Sequence, residues 1–292
     1  MSQPNAVLFD ELGPRGRRRV RTLTVVSAVV LVLVLVLAVV RLAQNGQFAY
    51  DLWAPLVDPT TEEFPLVWQR LGRGLLWTLA VAAVAMAGSL VIGVGIAVAR
   101  LSLGRYGRLP LVAVVELFRG LPVVVTILYV SIALPVLGVD LSDNWFLAIG
   151  LIVYNCVVIS EIVRAGVLAV PHGQVEAGQA VGLRPSQVMR SIQLPQAFRS
   201  MLPAIISQLV VILKDTALGA VVLNGVTELT RQGQQLRNFF DNALQTFFVV
   251  AVIYVVVNIL LGKAAEVLER RLSRSRTASA SAVAEDEESV RV

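Results

Sequence analysis

Long apolar blocks separated by short polar stretches dominate the pattern of this chain. Six blocks occur, at residues 20–42, 75–99, 122–137, 145–168, 202–223 and 247–268. They are continuous rather than alternating, and a helix needs about 20 apolar residues to cross a bilayer. The pattern therefore predicts an all-α polytopic membrane protein with six transmembrane helices. The first block is too long for the apolar region of a cleaved signal peptide.

The third block is the shortest, and two interpretations of it are open. It reaches a comfortable spanning length if the preceding residues 111–118 join it. Alternatively, Pro110 and the Gly-Leu-Pro break at residues 120–122 make that stretch a separate, partly interfacial helix, because proline interrupts helical hydrogen bonding.

The basic residues predict how the chain is oriented. If the N-terminus is cytoplasmic, nineteen of the 25 lysines and arginines fall in inside segments and four in outside segments. Cytoplasmic loops of membrane proteins are enriched in positive charge. We therefore expect a multi-pass protein of the cell membrane with both termini in the cytoplasm. The same arginines flank the apolar blocks, so the basic pI of about 9.9 indicates membrane orientation and not nucleic-acid binding.

Composition and motifs exclude several classes of function. Apolar residues make up 56% of the chain and charged residues only 15%, which is too apolar for a soluble globular protein. The single cysteine, Cys156, rules out an internal disulfide framework, and the single histidine, His172, rules out a His-cluster metal site. The sequence contains neither a phosphate-binding loop of the G-x-x-x-x-G-K-[ST] type nor a catalytic constellation. We predict no enzyme activity, no metal and no cofactor.

The most informative motif lies between the fourth and fifth blocks. Glu176 and Ala177 are followed by Gly182 and then by an Ile-x-Leu-Pro segment that contains Leu194 and Pro195. This spacing resembles the coupling loop in permease subunits of ATP-binding-cassette importers. In that family the loop forms a short helix that docks on the ATPase subunit. The alternative is an amphipathic cytoplasmic helix that packs only on its own protein.

One residue of this loop departs from the family pattern. Gly178 stands where the family usually has alanine. Glycine costs about 1 kcal/mol of helix propensity relative to alanine. We therefore expect a looser coupling helix in this chain.

Other segments extend the resemblance to the polar-amino-acid branch of this family. They are residues 116–122, 161–166, 171–174, 213–218 and 228–231. The resemblance implies the fold of a type I importer permease and substrates such as histidine, glutamine, arginine or glutamate, and the layout looks most like glutamate permeases. The implied partners are an ATPase subunit, a second permease subunit in a homo- or heterodimer, an extracytoplasmic binding protein and membrane lipid, without nucleic acid.

A transporter of another class is the alternative function. A secondary amino-acid transporter or a channel would not be powered by ATP. A channel is disfavoured because no Gly-rich filter segment or acidic ring is visible. A secondary transporter is disfavoured because inverted internal repeats are absent from the sequence.

Composition, the apolar blocks and the resemblance together set the expected regions of the chain. We expect a flexible cytoplasmic N-terminus at 1–19, a first transmembrane helix at 20–43 and an external connection at 44–67. The permease core follows at 68–272 with its cytoplasmic coupling loop at 169–200. The Ser/Ala-rich and acidic composition of 273–292 predicts a disordered tail.

Polar residues inside the apolar blocks are candidates for the substrate pathway. Lys214 lies twelve residues after Leu202, about 18 Å along a helix and close to the predicted midplane. Asp215 and Thr216 follow it, and Asn155 lies at a similar depth in the fourth block. Burying such groups in hydrocarbon is costly, so they are expected to face protein or a pathway. The alternative is that they are structural clamps between helices.

Two pairs of opposite charge and one stripe of small residues are assigned structural roles. Glu161 and Arg164, spaced i, i+3, are expected to pair on one helix face, and Glu116 and Arg119 have the same spacing. In the second block, small residues recur every four positions, at Ala85, Ser89, Gly93 and Ala97. Such stripes allow two membrane helices to approach closely, so we predict a packing surface there.

Overall fold

The computed structural model describes residues 13–289, and for residues 268–289 it describes the backbone alone. The chain divides into two compact units, residues 1–54 and 55–292. The first unit holds α1 (Pro14–Gln44), which starts with proline in its first turn, and the beginning of α2 (Tyr50–Val57). Residues 14–19 are therefore helical rather than flexible, because proline favours the first position of a helix. Residues 1–12 of the predicted flexible segment lie outside the described residues.

The second unit is built from helices joined by short connections. They are α3 (Phe64–Ser102), α4 (Arg105–Gly120), α5 (Val123–Val136), α6 (Asp143–Leu168), α7 (His172–Ala180), α8 (Pro185–Val188), a π-helical turn (Met189–Gln193), α9 (Leu194–Asp215), a 3-10 turn (Thr216–Leu218), α10 (Gly219–Val222), α11 (Leu229–Phe240) and α12 (Ala243–Ser289). No strand occurs in residues 13–289. The all-α prediction is confirmed.

In the part of the chain that the structure describes, five helical stretches are long and apolar enough to cross a membrane, and a bent pair makes a sixth if it counts as one span. The pair is α4 and α5, whose axes differ by 110°. Leu121 has an extended backbone between them because the following Pro122 disfavours the helical conformation. The structure therefore agrees with the second interpretation of the third block, in which the residues before Gly120 form a helix of their own.

Helix α6 is the centre of the second unit. In its apolar window 61% of the residues are buried, against 33% for α3 and 17% for α12. It packs against α3, α4, α5 and α9. The largest core cluster includes Ala85 of α3, Leu147 and Leu151 of α6, and Ile212 and Leu213 of α9. A polar group on the buried face of α6 therefore has to find its partner on a neighbouring helix.

The small-residue stripe of α3 faces α6. Ala85, Ser89, Gly93 and Ala97 are all buried. A Cβ atom added at Gly93 would lie 2.8 Å from the carbonyl oxygen of Cys156, so only glycine fits at this crossing. The predicted packing surface is confirmed, and its partner is α6.

The last helix is longer than the sequence predicts. Helix α12 continues to Ser289 and includes most of the segment that composition predicts to be disordered. The helical backbone of residues 273–289 differs from that prediction, and alanine, arginine and glutamate, which favour helices, are frequent there.

The α3–α6 crossing gives a stability prediction. We expect Gly93→Ala to destabilise the purified protein by about 1–3 kcal/mol, because the new methyl group overpacks against backbone. Gly95→Ala on the same helix is the matched control, since nothing lies within 4 Å of a Cβ added there. The midpoint of thermal unfolding in detergent measures both variants. Equal midpoints for Gly93→Ala and Gly95→Ala would contradict the close crossing.

Candidate functional site

The loop between α6 and α9 contains a short helix with one exposed and one buried face. Glu176 and Ala177 of α7 are exposed, whereas Gly178 is buried against α8 and the π-helical turn. A Cβ atom added at Gly178 would lie 2.7 Å from Ile192 Cδ1 and 3.2 Å from Val188 Cγ2. Glycine at this position therefore brings α7 close to the segment beneath it. The looser helix expected from helix propensity stays a prediction, and close packing at Gly178 acts against it.

Gly182 ends α7 in a defined motif. Its φ is +85°, in the left-handed region that favours glycine. Its N–H donates to the carbonyl of Gln179 at 2.9 Å, and the N–H of Leu183 donates to the carbonyl of Gly178 at 3.1 Å. This pair of hydrogen bonds is a Schellman motif, which satisfies the last carbonyls of a helix. Gly182 thus sets the direction in which the chain leaves α7.

Leu194 and Pro195 begin the helix that returns into the core. Leu194 is partly buried against a cluster that contains Ala97, Ile159 and Val163, at one end of α3 and α6. Pro195 is exposed and has no N–H to donate to the preceding turn. The π-helical turn ends at Gln193, two residues before this proline. The structure thus places three of the five predicted coupling residues in the loop and the other two at the start of α9.

A cleft lies beside this loop. It has a volume of about 690 Å³ and is lined by side chains of α7 and α8 and of the adjoining ends of α3 and α6. Helix α7 packs on α8 and the π-helical turn. The exposed face of α7 is therefore presented on the side away from this local support.

Glu161 forms an ionic cluster with two arginines. Its Oε2 accepts hydrogen bonds from Arg164 Nε and Nη2 at 3.0 and 2.9 Å, as the i, i+3 spacing predicts. Its Oε1 pairs with Arg100 at the end of α3. Arg100 is only 6% exposed, so this ion pair joins α3 to α6 in a buried environment. Sequence reasoning missed Arg100, because an arginine at the end of an apolar block is expected to anchor the helix in the membrane interface.

Glu116 and Arg119 form a much weaker contact. Their closest charged atoms are 3.9 Å apart, and both side chains are 58% exposed. An exposed pair at this distance contributes little to stability.

Lys214, Asp215 and Thr216 lie at the end of α9. Lys214 is exposed, Asp215 is partly buried, and neither has an ion-pair partner among the side chains that the structure describes. Thr216 is buried and donates to the carbonyl of Leu213 at 2.7 Å. Helix α9 begins at Leu194, eight residues before Leu202. The depth of Lys214 in the membrane stays a prediction. Lys214 and Asp215 are the last two residues of α9.

The side-chain amide of Asn155 joins α6 to α9. It is fully buried near the middle of α6, and its Oδ1 accepts a hydrogen bond of 2.7 Å from Gln208 Nε2 of α9. The structure does not bring Asn155 together with Lys214 or Asp215; Gln208 precedes Lys214 by six residues, about 9 Å along the helix. Sequence reasoning missed Gln208, although a glutamine inside an apolar block is itself a signal.

Polar contacts also fix the connection that follows α10. Asp143 Oδ2, at the start of α6, accepts from the N–H of Gly225 at 2.6 Å. Asn144 donates to Thr227 Oγ1 at 2.8 Å and accepts from the Thr227 N–H at 3.1 Å. These contacts hold the connection between α10 and α11 against the end of α6 that is farthest from the coupling loop.

Glu228 caps the helix that follows this connection. It is fully buried, and its carboxylate accepts hydrogen bonds from the N–H groups of Thr230 and Arg231 and from the Tyr254 hydroxyl. Burial raises the pKa of this carboxyl, and the hydrogen bonds oppose that rise. Glu228 therefore links α11 to α12 as an N-cap, the position that acidic side chains favour at a helix start.

Comparison with known proteins identifies relatives over most of the chain. The family of binding-protein-dependent transport system inner membrane components matches residues 89–274. The glutamate transport system permease protein GluD of Corynebacterium glutamicum is 36% identical over 239 residues, which are 80% of this chain and 85% of that protein. The glutamine transport system permease protein GlnP of Escherichia coli is 36% identical over 202 residues, 68% of this chain and 91% of that protein.

A solved structure has the same fold. A chain from the crystal structure of an amino acid ABC transporter with histidines is 28% identical and superposes with a TM-score of 0.65, covering 73% of this chain and 99% of that one. A chain of the methionine ABC transporter MetNI, in inward-facing conformations, gives a TM-score of 0.63 at 24% identity. The fold is thus that of ABC importer permeases.

The ionic cluster gives a second stability prediction. Glu161→Gln should destabilise the protein by about 3–5 kcal/mol, because it leaves the buried guanidinium of Arg100 without a counter-charge. Glu116→Gln removes the same charge from the exposed pair and should cost less than about 1 kcal/mol. Detergent unfolding curves of the two variants provide the comparison. If Glu116→Gln were the more destabilising of the two, the structural role of the cluster would be rejected.

Proposed function

Because this chain belongs to the family of binding-protein-dependent transport system inner membrane components, we propose that it is the membrane-spanning permease of an ATP-driven importer for a polar amino acid. The relatives that transport glutamate and glutamine support glutamate or a related amino acid as the substrate. The chain is a transport subunit of the cell membrane, and a separate ATPase subunit hydrolyses ATP. A binding protein delivers the substrate. The alternative of a carrier or channel without ATP finds no support in the family.

The exposed face of α7 is proposed to be the surface that docks on the ATPase. The observation that supports this most directly is the loop geometry: Glu176 and Ala177 face outward while Gly178 packs inward. Gly182 sets the exit of the chain, and Leu194 and Pro195 connect the loop to α9. Movement of the docked ATPase would thereby reach α9 directly.

Substitutions at the docking surface test this proposal. Glu176→Lys should lower amino-acid uptake and substrate-stimulated ATP hydrolysis about tenfold, since reversing an interface charge readily costs about 1.4 kcal/mol of binding. Gly182→Arg should act in the same direction, because the left-handed backbone costs a non-glycine residue about 1–2 kcal/mol. Uptake into proteoliposomes and ATP hydrolysis by the reconstituted complex are the measurements.

Two milder variants are the controls for these substitutions. Gly182→Asn should retain most of the activity, because asparagine tolerates the left-handed region. Glu176→Gln removes the charge without reversing it and should have a smaller effect than Glu176→Lys. Normal uptake by Glu176→Lys and Gly182→Arg, with the ATPase bound, would refute the docking role.

The substrate pathway is proposed to run along α9. Lys214 and Asp215 offer a cation and an anion on a membrane helix without partners among the described side chains, and such groups are costly to expose to lipid. Asn155 and Thr216 are buried and would brace the wall of the pathway. A second permease subunit, identical or similar, would complete the pathway, and the mass of the intact complex would identify it.

Neutralising the two charges tests the pathway. Lys214→Met and Asp215→Asn should each lower uptake by about tenfold or more, the effect of losing one charge-assisted hydrogen bond to a zwitterionic substrate. The yield of complex with the ATPase should not change, because neither charge has a partner that the substitution would leave unpaired. Wild-type transport kinetics in both variants would exclude a pathway role.

Both termini are proposed to be cytoplasmic. The support is the asymmetry of basic residues, nineteen inside and four outside. Alkaline phosphatase fused after Val292 should be inactive and a fluorescent protein at the same position should be bright. Phosphatase activity there would mean that the number of membrane crossings is odd.

A further inference from the structure

A pair of side-chain amides joins α6 to α9 in the interior of the second unit. Asn155 is 0% exposed, and its Nδ2 donates to the carbonyl of Leu151, one turn earlier on α6, at 2.8 Å. Its Oδ1 accepts from Gln208 Nε2 at 2.7 Å. A buried amide makes such bonds because an unpaired polar group in the interior is costly.

The two hydrogen bonds fix which way each amide points. A backbone carbonyl can only accept, so the NH₂ group of Asn155 has to face Leu151. The oxygen of Asn155 then faces α9 and can accept only from the NH₂ group of Gln208. The carbonyl oxygen of Gln208, Oε1, is therefore turned away from Asn155.

This oxygen is available for a further hydrogen bond. Gln208 is only partly buried, and no partner of Oε1 occurs among the side chains that the structure describes. It is not among the buried unpaired polar atoms either. An oxygen in this state inside a membrane span faces either water or a polar molecule, because lipid offers no donor.

Gln208 lies on the same face of α9 as Asp215. The two residues are seven positions apart, which is two helical turns and about 10 Å along the axis. Both side chains are partly exposed and both present acceptor oxygens. Two exposed acceptor oxygens on one face of an apolar span can accept hydrogen bonds from a cationic group that passes along this face.

We propose that Gln208 Oε1 accepts a hydrogen bond from the ammonium group of the amino acid in the pathway, and that Asn155 holds Gln208 in the required orientation. This inference rests on the proposed function. An ammonium group has three donors and no acceptor, so it is complementary to a carbonyl oxygen and not to an amide NH₂. Because every amino acid carries this group, Gln208 would favour amino acids over carboxylic acids that lack it.

The test is uptake by the complete transporter in proteoliposomes, with the ATPase and the binding protein. Gln208→Leu should lower the maximal rate of uptake about tenfold to a hundredfold. Ser207→Ala is the matched control, since the Ser207 hydroxyl donates to Pro203 O of its own helix and should be dispensable for uptake.

A double variant separates orientation from simple packing. Asn155→Leu should also lower uptake, but the double variant Asn155→Leu/Gln208→Leu should be no slower than Gln208→Leu alone, because Asn155 acts through Gln208. The double variant contains neither amide, so no buried polar group is left without a partner. Its uptake rate therefore tests the inference even if a single variant fails to assemble.

Each outcome has a distinct meaning. Wild-type uptake rates in assembled Gln208→Leu or in the double variant would overturn the inference and leave the proposed function standing. Multiplicative losses in the double variant would reject the orienting role of Asn155. Absence of ATP-dependent amino-acid uptake by the wild-type complex would overturn the proposed function itself.

Discussion

The contact between α3 and α6 is the interaction on which the rest of the second unit depends. Small side chains on α3 let the two backbones approach until only glycine fits at residue 93. In a membrane, where lipid tails are as apolar as the helices, such packing and internal hydrogen bonds replace the hydrophobic effect between helices. The contact also places Arg100 beside Glu161. It thereby fixes α6, the helix that positions Asn155 and leads into the coupling loop.

The polar side chains on and near α6 fall into two groups, those with a hydrogen-bond or ion-pair partner on another helix and those without one among the described side chains. Asn155 and Glu161 each have partners on another helix, so the structure retains them at little cost. Lys214 and Asp215 have none among the described side chains, and Gln208 uses only one of its two polar ends. This difference is the support for the proposal that α9, rather than α6, meets a polar substrate. Helix α6 then serves as the support against which α9 is oriented.

The sequence predicted the membrane-spanning helices and revealed the motif of the coupling loop, because both signals are local. The coupling role itself stays a prediction. Apolar length identified the spans, and the spacing from Glu176 to Pro195 lies within twenty residues of one loop. Contacts between distant residues were not predictable: Arg100 and Glu161 are 61 positions apart, and Asn155 and Gln208 are 53 apart. The start of α9 was not predictable either, because the apolar block begins at residue 202, eight residues after Leu194. Gly178 was judged by helix propensity alone, since the packing beneath α7 is tertiary.

The π-helical turn at Met189–Gln193 changes the angle about the helix axis at which α8 is oriented relative to α9. A π-turn holds one residue more than an α-turn, and each residue of an α-helix advances the side-chain direction by about 100°. The side chains of α8 and α9 consequently point in directions that differ from those they would have in a single unbroken α-helix. Removing one residue from this turn would rotate α7 and α8 around the axis of α9 without changing any side chain on either face. The surplus residue therefore acts as an angular spacer between the proposed docking surface on α7 and the proposed pathway along α9.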